Sequence, residues 1–88
     1  MNKAEIVRSV TAGRIEWQRH ALERMMERQI SRDMVKEVPL SGDWIEVYPD
    51  QKPYPGALVL GWVRGQPLHV ILAFDPVNRI CFVIAAYV

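Results

Sequence analysis

Five side chains in this sequence are of a type and spacing that could do chemistry: His20, Arg24, Arg28, His69 and Tyr87. The first three are spaced i, i+4, i+8. On a helix that turns 100° per residue they form one stripe. A guanidinium is a planar fork that matches the oxygens of a phosphate, so the stripe reads as a phosphate-binding ridge. The competing reading is a solvated face, because Glu23 and Glu27 lie among these cations and exposed ion pairs of that kind are common and weak. His69 stands on an apolar stretch. Imidazole changes charge near neutral pH and can serve as general acid or base. The alternative for His69 is a plain hydrogen bond to a neighbouring loop, as buried polar groups generally find partners. The alternative for Tyr87 is a cap on the core.

Other chemistries lack their parts. A metal site needs three or four ligands at recognisable spacing, and His20, His69 and Cys81 are scattered. There is no glycine-rich phosphate loop or dinucleotide fingerprint. No Ser or Cys sits at a motif spacing from a base. The expectation is therefore no metal and no cofactor.

Length and composition bound the rest. Eighty-eight residues suit a single domain over 1–88 with a small core. Half of the residues are hydrophobic, which excludes disorder and leaves more apolar surface than a small core can hide. The lone Cys81 cannot form an internal disulfide and reads as a buried hydrophobe, which points to the cytosol. The N-terminal MNKAEIVRSV carries no apolar signal core, and no apolar run approaches the ~20 residues of a membrane span. A cytoplasmic protein without a membrane partner is expected. Net charge is only +1, but its distribution is uneven. Residues 19–36 hold five basic and three acidic side chains, whereas residues 43–88 hold three basic and four acidic ones. An anion-binding face should lie on the helical half.

The elements that must position these groups follow from pattern. Asn2 caps a first helix over 3–12, with Glu5 three residues on and Gly13 as its stop. Residues 14–17 form a short extended or irregular link. A second helix over 20–29 has Leu22, Met25, Met26 and Gln29 on one side, with the His20–Arg24–Arg28 stripe roughly opposite Leu22 and Met26. Ser31 caps a third helix, which Pro39 ends near its preceding residue. From Trp44 the period changes to two. Strands are expected over 44–48, 57–63, 68–74 and 80–88, with Arg64-Gly65-Gln66 as a tight hairpin connection and residues 75–78 as a turn. The fold class is α+β: two to three N-terminal helices (1–42) packed on a four-stranded, mainly antiparallel sheet (43–88).

Alternation then assigns two faces, if Val63 opposes Pro67 and Phe74 opposes Ile80. The bulky face carries Leu58, Leu60, Trp62, Leu68, Val70, Leu72, Phe74, Ile80, Phe82 and Ile84, and the helices should cover it. The smaller-residue face carries Val59, Gly61, Ala73, Cys81 and Ala85. His69 and Tyr87 sit near each other at one end of that face, close to Gly61. A shallow site or a partner surface would suit it.

The string Trp17 to Ser31, "WQRHALERMMERQIS", resembles the opening of a small prokaryotic family known as domain of unknown function 4258. Its typical residues are matched here by His20-Ala21, Arg24-Met25, Arg28 and Ile30-Ser31. Further matches follow in order: Gly42, Ile45-Glu46, Tyr48, Leu58-Val59-Leu60-Gly61, Leu68-His69-Val70 and a terminal strand ending at Tyr87, past which relatives commonly continue. The resemblance implies a fold similar to RelE and barnase-like ribonucleases. It also implies a setting beside a zinc-ribbon antitoxin, as half of a toxin–antitoxin pair.

Residues and resemblance together lead to the expectation of a metal-independent endoribonuclease toxin acting on RNA. His69 would be the general base or acid, Arg24 and Arg28 would hold the phosphate, His20 would be the second acid/base candidate, and Tyr87 would donate a hydrogen bond to phosphate. The alternative is a non-catalytic binding module, whose surplus apolar surface serves a homodimer or a partner protein. The modest net charge favours that alternative, since nucleic-acid binders are usually more basic.

Overall fold

The computed structural model describes residues 1–88. Its elements are α1 (Lys3–Thr11), β1 (Ile15–Trp17), α2 (Arg19–Glu27), α3 (Arg32–Ser41), β2 (Asp43–Tyr48), β3 (Gly56–Val63), β4 (Gln66–Asp75) and β5 (Ile80–Tyr87). The architecture is α+β, three helices against one mixed sheet of five strands in the order β1-β5-β4-β3-β2. The expected four strands thus become five. The extra one is β1, which pairs in parallel with β5 over Cys81–Val83. At three residues it is too short for alternation to reveal it.

Local chemistry explains the helix ends. The Asn2 side chain accepts from the Glu5 amide at 3.2 Å, and Gly13 (φ +77) lets the chain leave α1. The Ser31 hydroxyl accepts from the Met34 amide at 3.2 Å. Pro39 does not end α3, as it would have been expected to do. The helix runs on to Ser41 with Pro39 inside it, and the Gly42 amide donates to the Val38 carbonyl at 2.7 Å. Proline removes one backbone donor, but its ring is buried, which offsets the lost bond.

Each hairpin register differs by one residue from expectation, and the consequence is large. Arg64 (φ 53) and Gly65 (φ 77) form a two-residue turn, so Val63 pairs with Gln66 and Trp62 with Pro67. Two consecutive left-handed residues match the twist of flanking strands, which is why such turns join tight hairpins. At the other hairpin Asp75 pairs with Ile80 and Phe74 with Cys81. A one-residue slip exchanges the faces of a strand, and both β3 and β5 are inverted accordingly: Cys81 and Val83, not Ile80, Phe82 and Ile84, turn to the helices. The helices cover Ala57, Val59, Gly61 and Val63, together with Leu68, Val70, Leu72, Phe74, Cys81 and Val83. Ile6 and Val10 of α1, Ala21 and Met25 of α2, and Val35 and Val38 of α3 complete this core. Burying each large side chain of this kind is worth roughly 1.5–3 kcal/mol. Gly61 is small for a reason: a Cβ there would lie 3.0 Å from Val38 Cγ2.

The bulky residues of β3 are therefore on the open face, not the covered one. Leu58, Leu60 and Trp62 share it with His69, Ile71, Phe82 and Tyr87, and Trp62 is 68% exposed. One end of this face is roofed by the loop after β2, where the Tyr54 ring stacks on Phe82 at 5.3 Å. Beside it Asp75 accepts from the Val77 and Asn78 amides and from the Asn78 side chain, bonds that hold its carboxyl below the usual range.

Candidate functional site

The stripe on α2 does form. The buried row of that helix is Ala21 and Met25, with Leu22 half-buried against the core. Met26, expected inside, is 81% exposed. His20, Arg24 and Arg28 each precede a position of the Ala21–Met25 row, so the stripe stands about 100° from the buried row instead of opposite it. That quarter turn brings it to the sheet.

α2 packs beside the terminal half of β5. β1 covers only Cys81 to Val83, so the outer edge of β5 beyond Val83 has no strand partner and faces α2. Between them lies an open groove of about 380 Å³ lined by His20, Ala21, Arg24, Arg28, Ile84, Ala85 and Tyr87. Four of the five side chains singled out in the sequence thus meet in one place. Arg28 is anchored there: its Nη1 donates to the Ala86 carbonyl at 3.0 Å, a charge-assisted bond that satisfies an edge carbonyl. Arg24 pairs with Glu27 at 3.5 Å with both side chains at least half exposed. Such a pair is worth little and is readily exchanged for another anion. His20 is exposed at the mouth.

His69 does not line the groove. It faces the open side of the sheet, directly opposite Tyr87, with the two rings stacked at 4.8 Å and 7° between planes. Its Nδ1 lies 3.3 Å from the Tyr87 carbonyl oxygen. The expected proximity of His69 and Tyr87 holds, but Gly61 lies on the covered face, paired with Leu68. A bulge makes the pairing. Leu72 pairs with Val83 and Ile71 with Ala85, which leaves Ile84 as the extra residue and shifts Tyr87 opposite His69. Ile84 and Ala85 as groove walls, and the Ala86 carbonyl as anchor, were not foreseeable, because no residue type announces a bulge.

Cys81 is buried, and desolvation pushes its thiol up to about 12, so it is not a nucleophile. No three His, Cys, Asp or Glu side chains converge as a metal site would require. No helix is long and apolar enough to cross a membrane.

The family described as Domain of unknown function (DUF4258) matches residues 17–88. The chain belongs to the DUF4258 family. Among curated proteins no relative matches it. The DUF4258 match begins at Trp17 and so takes in the whole of α2 and β5, the two elements that frame the groove. α1 lies outside it.

Proposed function

We propose that this DUF4258 protein is a metal-independent endoribonuclease of the RelE and barnase-like type, and that the groove between α2 and β5 is where it holds RNA. The observation that carries this reading is the convergence of His20, Arg24, Arg28 and Tyr87 on one open groove. Arg24 and Arg28 would bind the scissile phosphate. His20 takes over from His69 as the first acid/base candidate, because it lines the groove and His69 does not. As base it would remove the proton of the ribose 2′-hydroxyl. The 2′-oxygen then bonds to phosphorus, the bond from phosphorus to the 5′-oxygen breaks, and that oxygen takes up a proton from an acid in the groove. The products are a 2′,3′-cyclic phosphate and a 5′-hydroxyl. Tyr87 would donate its O–H to a phosphate oxygen while His69, stacked beneath it, sets its position.

The test is incubation of the purified chain with single-stranded RNA in EDTA. Cleavage to cyclic-phosphate ends that His20→Ala abolishes supports the proposal, and RNA left intact overturns it. Toxicity belongs to the same reading. Growth arrest on expression, relieved by a neighbouring zinc-ribbon protein, would support a toxin–antitoxin pair in the cytoplasm.

The open sheet face favours a second reading, a non-catalytic module for a homodimer or partner protein. Trp62 stands 68% exposed beside Leu58, Leu60 and Ile71, an apolar grouping that monomers seldom leave uncovered. Sedimentation of the pure chain decides it. A dimer that Trp62→Arg dissociates, with no RNA cleavage, supports this reading.

A further inference from the structure

A second cationic site lies at the opposite end of β5. It is a pocket of about 200 Å³ lined by Glu5, Arg8, Ser9, Ala12, Arg14 and Arg79. Three exposed arginines from three segments line it: Arg8 in the last turn of α1, Arg14 in the link after Gly13, and Arg79 in the turn between β4 and β5. None of them is in an ion pair; the three ion pairs of the chain are elsewhere, at Arg19–Glu23, Arg24–Glu27 and Lys36–Asp33. With Glu5 the lining carries a formal charge of +2.

The backbone under these arginines is fixed by bonds that leave the guanidiniums free. The buried Ser9 hydroxyl donates to the Arg79 carbonyl at 3.0 Å. The Arg14 amide donates to the Ser9 carbonyl at 2.8 Å, and the Arg14 carbonyl accepts from the Cys81 amide at 3.0 Å. The terminal carbonyls of α1 at Arg8 and Val10 are also taken, by the Ala12 and Gly13 amides, so they do not compete for the side chains. Arg79 has a left-handed backbone (φ 56), an uncommon state for a residue with a Cβ. It closes the turn between β4 and β5, and the Ser9 bond ties that turn to α1.

We propose that this pocket binds a terminal phosphate group, as inorganic phosphate or as the phosphate of a nucleoside 5′-monophosphate. The +2 lining balances a dianion, and guanidinium forks suit its oxygens. The volume equals about six or seven waters at roughly 30 Å³ each, room for a phosphate and part of a sugar. The site does not depend on the ribonuclease proposal: the pocket adjoins the start of β5 at Arg79, whereas the groove begins at Ile84, about 13 Å further along the strand at about 3.3 Å per residue.

The test is a titration of the ¹⁵N-labelled full chain, carrying Arg24→Gln and Arg28→Gln to silence the other groove, with sodium phosphate, adenosine 5′-monophosphate, and chloride at matched ionic strength. Saturable amide shifts centred on Ser9, Gly13, Arg14 and Arg79 are expected with phosphate or the nucleotide but not with chloride. Phosphate acting alone identifies the free ion, and tighter binding of the nucleotide identifies the monoester. Arg14→Gln with Arg79→Asn, which tolerates the left-handed backbone, should weaken binding at least tenfold while circular dichroism is unchanged. Equal shifts with chloride, no saturable shift, an unchanged affinity in that variant, or saturation by polynucleotide alone would each overturn the proposal.

Discussion

The Tyr87 ring lies flat on the His69 imidazole, with centroids 4.8 Å apart and planes within 7°. Tyr87 also lines the groove beside α2, and His69 does not. The pair therefore separates two roles that sequence alone ran together. His20→Ala should lower RNA cleavage by about 10²–10⁴-fold, the usual contribution of an acid/base group. His69→Phe, which preserves the stack, should cost at most about tenfold. Single-turnover cleavage rates check both. The reverse order would restore His69 as the acid/base group.

Arg28 is expected to matter twice. Arg28→Ala removes the bond to the Ala86 carbonyl and, under the proposed function, a contact to phosphate. It should lower stability by about 1 kcal/mol, read from urea unfolding, whereas Arg24→Ala should leave stability within about 0.5 kcal/mol. RNA affinity should fall in both.

Gly42 is fixed by close approach. A Cβ there would lie 2.5 Å from the Val38 carbonyl oxygen and 2.6 Å from that of Leu60, both backbone atoms that cannot swing aside. Gly42→Ala should destabilise by about 2–3 kcal/mol through overpacking, checked by the same unfolding series.

Two groups set opposite ends of the pH profile. The Cys81 thiol is raised from 9.0 to about 12. Its stabilising contribution should be full below pH 9 and be lost as pH rises from 9 towards 12. Cys81→Ala should remove that alkaline loss, and iodoacetamide should label the native protein slowly at pH 8. The Asp75 carboxyl is lowered by the Asn78 and Val77 bonds. Its contribution is present above the unfolded value and disappears as pH falls through the lower folded one. Asp75→Asn should flatten the acid limb of thermal stability.

Much of this fold was legible because local chemistry and pattern agree. Asn2 and Ser31 marked helix starts, and period two marked the strands from residue 43. What failed was register. Arg64 is a poor candidate for a left-handed turn residue, and Gln66 looks like loop, so a two-residue turn read as three and β3 was assigned inside out; Asp75 pairing with Ile80 did the same to β5. Pro39 misled because burial, which sequence does not display, compensates a missing donor. In the site, spacing revealed the α2 stripe. Its meeting with Tyr87 depends on the Ile84 bulge and on where β1 stops, and both are tertiary facts.

The bond from Arg28 to the Ala86 carbonyl has a consequence for how this chain behaves in a crowded solution. An exposed strand edge invites other chains to add to it, the route to fibrils and swapped dimers. β5 runs on for several residues past its short parallel neighbour, and its free carbonyl is occupied by a cation from the next helix. The side chain that the proposed function sets against phosphate thus also plugs one carbonyl of an otherwise unpartnered edge on the most apolar strand of the molecule, a position where added strands would template aggregation.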